Sequence, residues 1–414
     1  MSTETAVPLL RSPASRILAV TGTGIVVMLA DTDAGSIITA AQSGAQRGYD
    51  LLLLQIILIP ILFMVQELTV RLGVVTGRGH GELIMERFGR VWAWLSVSTL
   101  AVACIGALIS ELSGLAGVGL LFGVPKWLTV LVVIGGLIAM VWTASYRSVE
   151  RVAIAFGALE LLFIWIAWRA QPDLHALLGG LTHMPLRDHG YLYLATANIG
   201  AVIMPWMVFY QQSAVVEKRL GPDNLRVLRW EIAAGAVLTQ LVMIGVLVAV
   251  AATIGRANPN TPLNTVQEIS NALTPFLGTA MGRAVFAAGL GGAAIVATIV
   301  VSLTAAWGVG EVAGYRRSLA DHPSEAPWFY GIFTVCLALA GVLVASGADL
   351  VKLSVGVQVL NALLLPIVLG FLYALALWAL PDGYRLKGPY AVVVGAVVFV
   401  TAGFGVYAGL TGAV

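Results

Sequence analysis

Apolar runs of about 20 residues follow one another along almost the entire chain, separated by short polar stretches. A run of that length, wound as an α-helix, crosses the roughly 30 Å hydrocarbon core of a bilayer. Because lipid offers no hydrogen-bond partners to the backbone, such runs predict membrane-spanning helices. The predicted spans lie at about residues 17–46, 51–74, 91–121, 126–144, 149–170, 191–217, 227–254, 278–310, 327–346, 350–379 and 389–411.

Two of these spans are interrupted near their middles. Span 1 carries Asp31 and Asp33, and a carboxylate at membrane depth costs about 2.5–3.5 kcal/mol even on the mildest scale. Span 6 carries Pro205, which cannot donate to the helix ladder. Breaks in the first helix of each half are typical of inverted-repeat transporters, whose site lies between the repeats. The pattern predicts a cation site there, with Asp33 or Asp31 as the countercharge.

Composition supports a membrane protein and excludes several other classes. Hydrophobic residues make up 59% of the chain and charged residues only 11%, whereas a soluble domain has about a quarter charged residues. The net charge of +2 does not bear on nucleic-acid binding, but no basic patch alternates with aromatic residues, so no nucleic-acid partner is expected. No nucleophile–base pair or cofactor loop is present, so neither an enzyme nor a cofactor is expected. The two cysteines lie in apolar runs and indicate no disulfide framework.

The distribution of basic residues predicts the orientation. If the N-terminus is cytoplasmic, 16 of the 23 Lys and Arg residues fall on the cytoplasmic side and 7 on the other. This bias agrees with the positive-inside rule. We therefore expect a multi-pass plasma-membrane protein with a cytoplasmic tail over residues 1–16, no removable signal peptide and an outside C-terminus.

The first broken span carries motifs of a known family. Asp33-Ala34-Gly35-Ser36, followed by Gln-Ser-Gly-Ala-Gln-Arg-Gly-Tyr at 42–49, resembles the D-P-G-N and Q-x-G-A-Q-x-G-Y motifs of the NRAMP divalent-metal transporters. Residues 204–207 fall on the family's M-P-H-N. The resemblance implies an all-α polytopic protein of the LeuT-type fold. Its parts would be inverted five-helix repeats over 17–170 and 191–379 and an eleventh helix over 389–411.

The resemblance also implies a set of site residues. The expected metal ligands are Asp33, Ser36, Ala201, Met204 and Gln358. The expected pathway or supporting residues are Asp31, Ala34, Glu111, Trp206, Met207 and Asn361. The implied partners are a divalent metal ion and the lipid bilayer, and no obligate protein partner is expected.

Departures from the family pattern change the expected chemistry. Ser36 replaces the metal-binding Asn, Ala34 replaces the Pro, Trp206 replaces the His, and Met207 replaces a second Asn. Of the acidic pair in the family's third helix, Glu111 alone remains. Tryptophan does not titrate near neutral pH, whereas histidine does. The chain therefore most resembles the NRAMP-related magnesium transporters, which implies transport without proton coupling.

The choice of metal stays open between Mg²⁺ and Mn²⁺. Carboxylate, hydroxyl, carbonyl and amide oxygens suit hard cations such as Mg²⁺, whereas the Met204 thioether favours a transition metal. One alternative function is a proton-coupled Mn²⁺/Fe²⁺ symporter of the NRAMP type. A sodium-coupled symporter for an organic solute is a further alternative, because it shares the broken-helix architecture.

Overall fold

A computed structural model describes residues 22–143, 146–255, 261–319, 321–346 and 349–412. Within these ranges every regular element is helical and no strand is present. The predicted tail over 1–16 and the first residues of span 1 lie outside the described residues.

Seventeen α-helices make up the described part of the chain. They are α1 (Thr23–Asp31), α2 (Ala34–Arg47), α3 (Leu52–Thr76), α4 (His80–Phe88), α5 (Arg90–Leu121), α6 (Lys126–Thr143), α7 (Tyr146–Gly157), α8 (Leu162–Arg169), α9 (Leu174–Gly180), α10 (His189–Val202), α11 (Pro205–Glu217), α12 (Leu225–Val250), α13 (Val266–Leu273), α14 (Thr279–Ala313), α15 (Pro327–Ala345), α16 (Leu350–Trp378) and α17 (Gly388–Gly412).

The helical segments match the predicted spans. Ten are long and apolar enough to cross a membrane, and α1 with α2 forms a bent pair that makes an eleventh. Apart from the start of span 1, which lies outside the described residues, the agreement is within a few residues; predicted span 3, for example, begins at 91, and α5 begins at Arg90. The all-helical class is therefore confirmed. It follows from the physics of the bilayer, where an internally hydrogen-bonded helix is one of only two viable spanning structures.

Small residues set the distance between the central helices. A Cβ atom added to Gly200 of α10 would lie 1.8 Å from the backbone oxygen of Gln358 in α16. A Cβ added to Gly114 of α5 would lie 2.5 Å from Cβ of Ala34 in α2. Because lipid provides no hydrophobic driving force between helices, such close backbone packing is a main source of their association. These contacts hold α2, α5, α10 and α16 around one point.

Most ion pairs of the described residues lie on the face of the bundle at which α1 begins, called here the N-terminal face. The Glu231 carboxylate of α12 accepts hydrogen bonds from the backbone N–H of Gly22 at 2.6 Å and of Ile25 at 3.0 Å. Glu67 pairs with Arg71 at 2.6 Å and with Arg229 at 2.7 Å. Glu231 thereby satisfies N–H groups that the start of α1 would otherwise leave without acceptors.

His80, at the start of α4 on this face, is fully buried as a neutral ring. The Gln212 side chain donates to the Arg78 carbonyl at 2.9 Å, so its Oε1 accepts from His80 Nδ1, 3.1 Å away. His80 begins a short helix that lies between two spans. Burial lowers the pKa of His80 from 6.5 to about 4, because the charged ring would lose its hydration.

We expect acid to destabilise this face through His80. The unfolded chain binds a proton below about pH 6.5 and the folded chain only below about 4, so stability is full above 6.5 and falls between these values. The loss is on the order of 3 kcal/mol at 1.36 kcal/mol per pKa unit. Thermal unfolding of the detergent-solubilised protein across this range measures it. Glu82 belongs to α4 and Glu311 contacts it, so a His80→Gln variant isolates the ring. An unchanged pH profile in that variant would contradict the assignment.

Candidate cation site

The first helical break leaves one carboxylate oxygen free at membrane depth. Helix α1 ends at Asp31, and Asp33, in an extended conformation, is the N-cap of α2. Asp33 Oδ1 accepts a hydrogen bond from the Ser36 N–H at 2.6 Å. Asp33 is fully buried, yet no donor in the described part of the chain reaches its Oδ2. A buried anionic oxygen without a donor needs a cation or a proton.

The second break joins the first through a single hydrogen bond. Helix α10 ends at Val202, the next two residues are extended, and Pro205 begins α11 at a position where its missing N–H has no cost. The break frees the Ala201 carbonyl from the helix ladder. That carbonyl accepts a hydrogen bond from the Ser36 hydroxyl at 2.8 Å. Carboxylate, hydroxyl and carbonyl oxygens are thereby brought together from the two breaks.

Two amides of α16 complete the group. A Cβ atom at Gly35 would lie 2.1 Å from Gln358 Nε2, which places this side chain against the first break. Asn361 Nδ2 donates to Gln358 Oε1 at 2.9 Å, and among the described residues neither Gln358 Nε2 nor Asn361 Oδ1 has a partner. Amide oxygen and nitrogen positions are assigned from the hydrogen-bond network. If the amide oxygen and nitrogen are exchanged in both residues, Gln358 Nε2 donates to Asn361 Oδ1 instead. Gln358 Oε1 then faces Gly35.

Glu111 of α5 lies directly beside Asp33. Its Oε2 accepts from the Ala34 N–H at 3.0 Å, and its carboxyl group is within hydrogen-bonding range of the Asp33 carboxyl. Two adjacent carboxylates cannot both stay ionised unless a cation or a shared proton lies between them. Ser110, which the sequence did not single out, also lies here: its Oγ is 2.6 Å from the Cβ position of Gly35. Its place next to Glu111 was the available signal.

The remaining site residues predicted from the sequence are buried at the two breaks. Met204 is the N-cap of α11, and Trp206 and Met207 lie in its first turn. No acceptor within the described ranges reaches the Trp206 indole N–H. Asp31 is also buried, at the end of α1.

The assembled group is suited to a hard cation that keeps part of its water. No three His, Cys, Asp or Glu side chains converge on one point anywhere in the residues that the structure describes. An ion between the breaks would rely on Asp33, with the Ser36, Ala201 and Gln358 oxygens and water as neutral ligands. Such oxygen sets are typical of Mg²⁺, Ca²⁺ and Mn²⁺ sites.

Comparison with known proteins identifies the family. Residues 24–411 match the family model described as natural resistance-associated macrophage protein-like, Nramp. The divalent metal cation transporter MntH of Deinococcus radiodurans is 29% identical over 300 residues, 68% of this chain and 67% of that protein. MntH of Staphylococcus aureus is 31% identical over 210 residues, 49% of this chain and 46% of that protein. The match to the latter relative thus spans about half its length.

A solved structure shows the same arrangement of helices. The manganese transporter of Eremococcus coleocola, in complex with an aromatic bis-isothiourea substituted compound, superposes with a TM-score of 0.78. The match covers 96% of this chain and 87% of that one at 20% identity. The LeuT-type fold expected from the sequence is thereby confirmed.

Proposed function

The chain belongs to the Nramp family, and on that premise we propose that it carries a divalent cation across a membrane by alternating access. The observation that carries the proposal is the free Asp33 Oδ2, buried beside the hydrogen bond from Ser36 to the Ala201 carbonyl. A divalent ion there would meet one ionised ligand and two neutral oxygens from opposite halves of the chain. Such an ion sits where the two halves must move relative to one another.

We propose Mg²⁺ as the principal substrate and Mn²⁺ as a second one. Mg²⁺ dehydrates reluctantly and usually keeps several waters, so it favours a roomy site with few direct ligands. Ser36 is shorter than the family's Asn and leaves more space for water. Met204 in the second break supplies a soft thioether, which suits Mn²⁺ better than Mg²⁺.

Transport in this proposal needs no proton gradient. Trp206 stands where the family's titratable histidine would, and the buried indole cannot carry a proton near neutral pH. Moving two charges down 100 mV contributes about 4.6 kcal/mol, at about 2.3 kcal/mol per charge. Membrane voltage alone is therefore a sufficient driving force for uptake.

Orientation and internal symmetry are part of the same proposal. The 16-to-7 distribution of Lys and Arg supports a cytoplasmic N-terminal face and an outside C-terminus in the plasma membrane. The breaks at Thr32–Asp33 and Ile203–Met204 lie at corresponding places in two five-span units, which supports inverted repeats over 17–170 and 191–379 with an eleventh span over 389–411.

A proton-coupled Mn²⁺/Fe²⁺ symporter is the second candidate, and the pairing of Asp33 with Glu111 favours it. A carboxyl pair that shares a proton when empty would release it when a cation binds. No observation favours a sodium-coupled symporter for organic solutes, because the oxygen ligands of Asp33, Ser36 and Ala201 lie in the motifs shared with metal transporters.

Reconstituted uptake separates the two candidates. We expect Mg²⁺ uptake into proteoliposomes under an inside-negative potential, inhibited by Mn²⁺, with no signal from a pH-sensitive dye in the lumen. Glu111→Gln, which cannot exchange a proton, should keep uptake within about threefold of wild type, since Asp33 still supplies the charge. Vesicles carrying Asp33→Ala protein are the matched blank. Acidification in proportion to metal uptake, lost in Glu111→Gln, would instead establish proton coupling.

A further inference from the structure

A second pair of buried carboxylates lies beside the central site. Asp31 and Glu160 are each 1% exposed. In the described part of the protein, neither carboxyl oxygen of Asp31 has a hydrogen-bond partner, and the Thr32 hydroxyl is the side-chain group within hydrogen-bonding range of Glu160. The charges of Asp31 and Asp33 both act on Glu160, and neither Asp31 nor Glu160 has a described ion pair with a basic side chain. Buried carboxyl groups in this state need a cation or a proton that the protein itself does not provide.

Asp31 is also placed where a helix disfavours a carboxylate. It is the last residue of α1, where unpaired backbone carbonyls give the helix end a partial negative charge. A carboxylate there is repelled by the helix end, whereas a cation is attracted to both. The same geometry that makes Asp31 unfavourable in the empty protein therefore favours a bound cation.

Glu160 reaches this point from an interruption in another span. A 3₁₀ turn, Ala158–Leu161, separates α7 from α8, and Glu160 is its buried residue. The helix just before the turn packs closely on α1, since a Cβ atom at Gly157 would lie 2.7 Å from the Leu29 side chain. The Glu160 carboxyl thus faces the end of α1 across a close helix contact.

A cavity reaches Glu160, one member of this pair. It has a volume of about 450 Å³ and lies between α1, the 3₁₀ turn and α12. Thr32 and Glu160 line it, and Ile25 and Trp230, which are 37% and 73% exposed, lie towards the N-terminal face. Glu231 also lines the cavity; its Oε1 accepts from the start of α1, whereas its Oε2 has no partner among the described residues. Glu160 differs from Glu231 in lying within hydrogen-bonding range of Thr32, just after the end of α1.

We propose that Asp31, Thr32 and Glu160 form a second site for a hydrated divalent cation, distinct from Asp33 and located between it and this cavity. The inference rests on the proposed function. The ion leaves Asp33, is held by two carboxylates and the Thr32 hydroxyl, and passes towards the N-terminal face with most of its water. Two anionic groups shorten the distance over which the ion would otherwise travel without a countercharge.

Binding and transport measurements on the full chain test the second site. Mn²⁺ is the probe, with bound ions followed by electron paramagnetic resonance and by the metal-dependent rise in Tm. Asp33→Ala should keep a weak Mn²⁺ site that Asp33→Ala/Glu160→Gln lacks. Glu160→Gln alone should lower the kcat of Mn²⁺ uptake about fivefold or more while the KM changes less than about twofold. Asp31→Asn should likewise remove the weak Mn²⁺ site in the Asp33→Ala background and lower the kcat of uptake. This second variant guards against a folding defect specific to Glu160.

Glu231→Gln is the matched control, because it removes a carboxylate from the same cavity whose Oε1 is engaged with backbone N–H groups and on which the Lys218 charge already acts. It should keep the weak Mn²⁺ site. Wild-type uptake kinetics in both Glu160→Gln and Asp31→Asn, or equal Mn²⁺ binding with and without Glu160 in the Asp33→Ala background, would overturn the second site alone. Wild-type protein that neither binds nor transports Mn²⁺ or Mg²⁺ would overturn the proposed function instead.

Discussion

Replacement of Asp33 by alanine is expected to abolish cation uptake while the protein stays folded. Asp33 supplies the ionised ligand between the two breaks, and a unit charge pair 4 Å apart is worth about 4 kcal/mol at an effective dielectric constant of 20. The value doubles for a divalent ion, and each 1.4 kcal/mol is tenfold in affinity, so a loss of more than about a hundredfold is expected. Uptake of Mg²⁺ and Mn²⁺ into proteoliposomes measures it.

Asp33 also caps α2, and the controls separate this role from ion binding. Asp33→Asn keeps a capping side chain and removes the charge, so it should be as inactive as Asp33→Ala but closer to wild type in Tm. Asp349→Asn changes another helix cap of the same type, at the exposed start of α16, and should transport normally. Uptake near the wild-type rate in Asp33→Asn would refute the assignment of Asp33 as the charged ligand.

Replacement of Gly200 by alanine is expected to be nearly as damaging, for a steric reason. The added Cβ atom would lie 1.8 Å from the Gln358 carbonyl oxygen and 2.7 Å from the Ala362 nitrogen. Both neighbours are backbone atoms, so α10 and α16 must separate, which carries Ala201 and Gln358 away from each other. We expect at least a tenfold loss of uptake and a destabilisation of about 1–3 kcal/mol, measured by proteoliposome uptake and thermal unfolding.

Gly356 offers a matched control on α16, two residues before Gln358. A Cβ atom there meets nothing within 4 Å among the described residues, so Gly356→Ala tests the same change without a clash. Alanine is the better helix former by about 1 kcal/mol, and this variant should be as stable as wild type or more stable. Equal behaviour of the two alanine variants would show that the contact between α10 and α16 does not determine the site.

The positions of the spans could be predicted from the sequence because each depends on local properties. An apolar run of sufficient length must form a helix in lipid whatever its neighbours are. The first break was equally accessible, since Asp31, Asp33 and Gly35 disfavour a buried helix by their own chemistry. Pro205 marked the second break in the same way.

The contacts between side chains on different helices could not be predicted from the sequence. Glu111 could be identified as a buried acid, but its contact with Asp33 depends on the rotation of α5 about its axis and on the close approach at Gly114. Glu160 could not be placed near Asp31 from the sequence, because a 3₁₀ turn within an apolar run leaves no compositional mark. The orientation of the Gln358 amide depends on Asn361 and thus on the packed structure.

The hydrogen bond between Ser36 and the Ala201 carbonyl has a consequence for how tightly any ion can be held. Both oxygens are candidate ligands, so an arriving cation must displace the bond that satisfies them in the empty protein. A bond of this kind contributes about 0.5–1.5 kcal/mol, which weakens the apparent affinity up to roughly tenfold. When the ion departs, the same bond re-forms and competes against rebinding. The hydrogen bond of the empty site thus competes with the bound ion, which favours release of the ion over its retention.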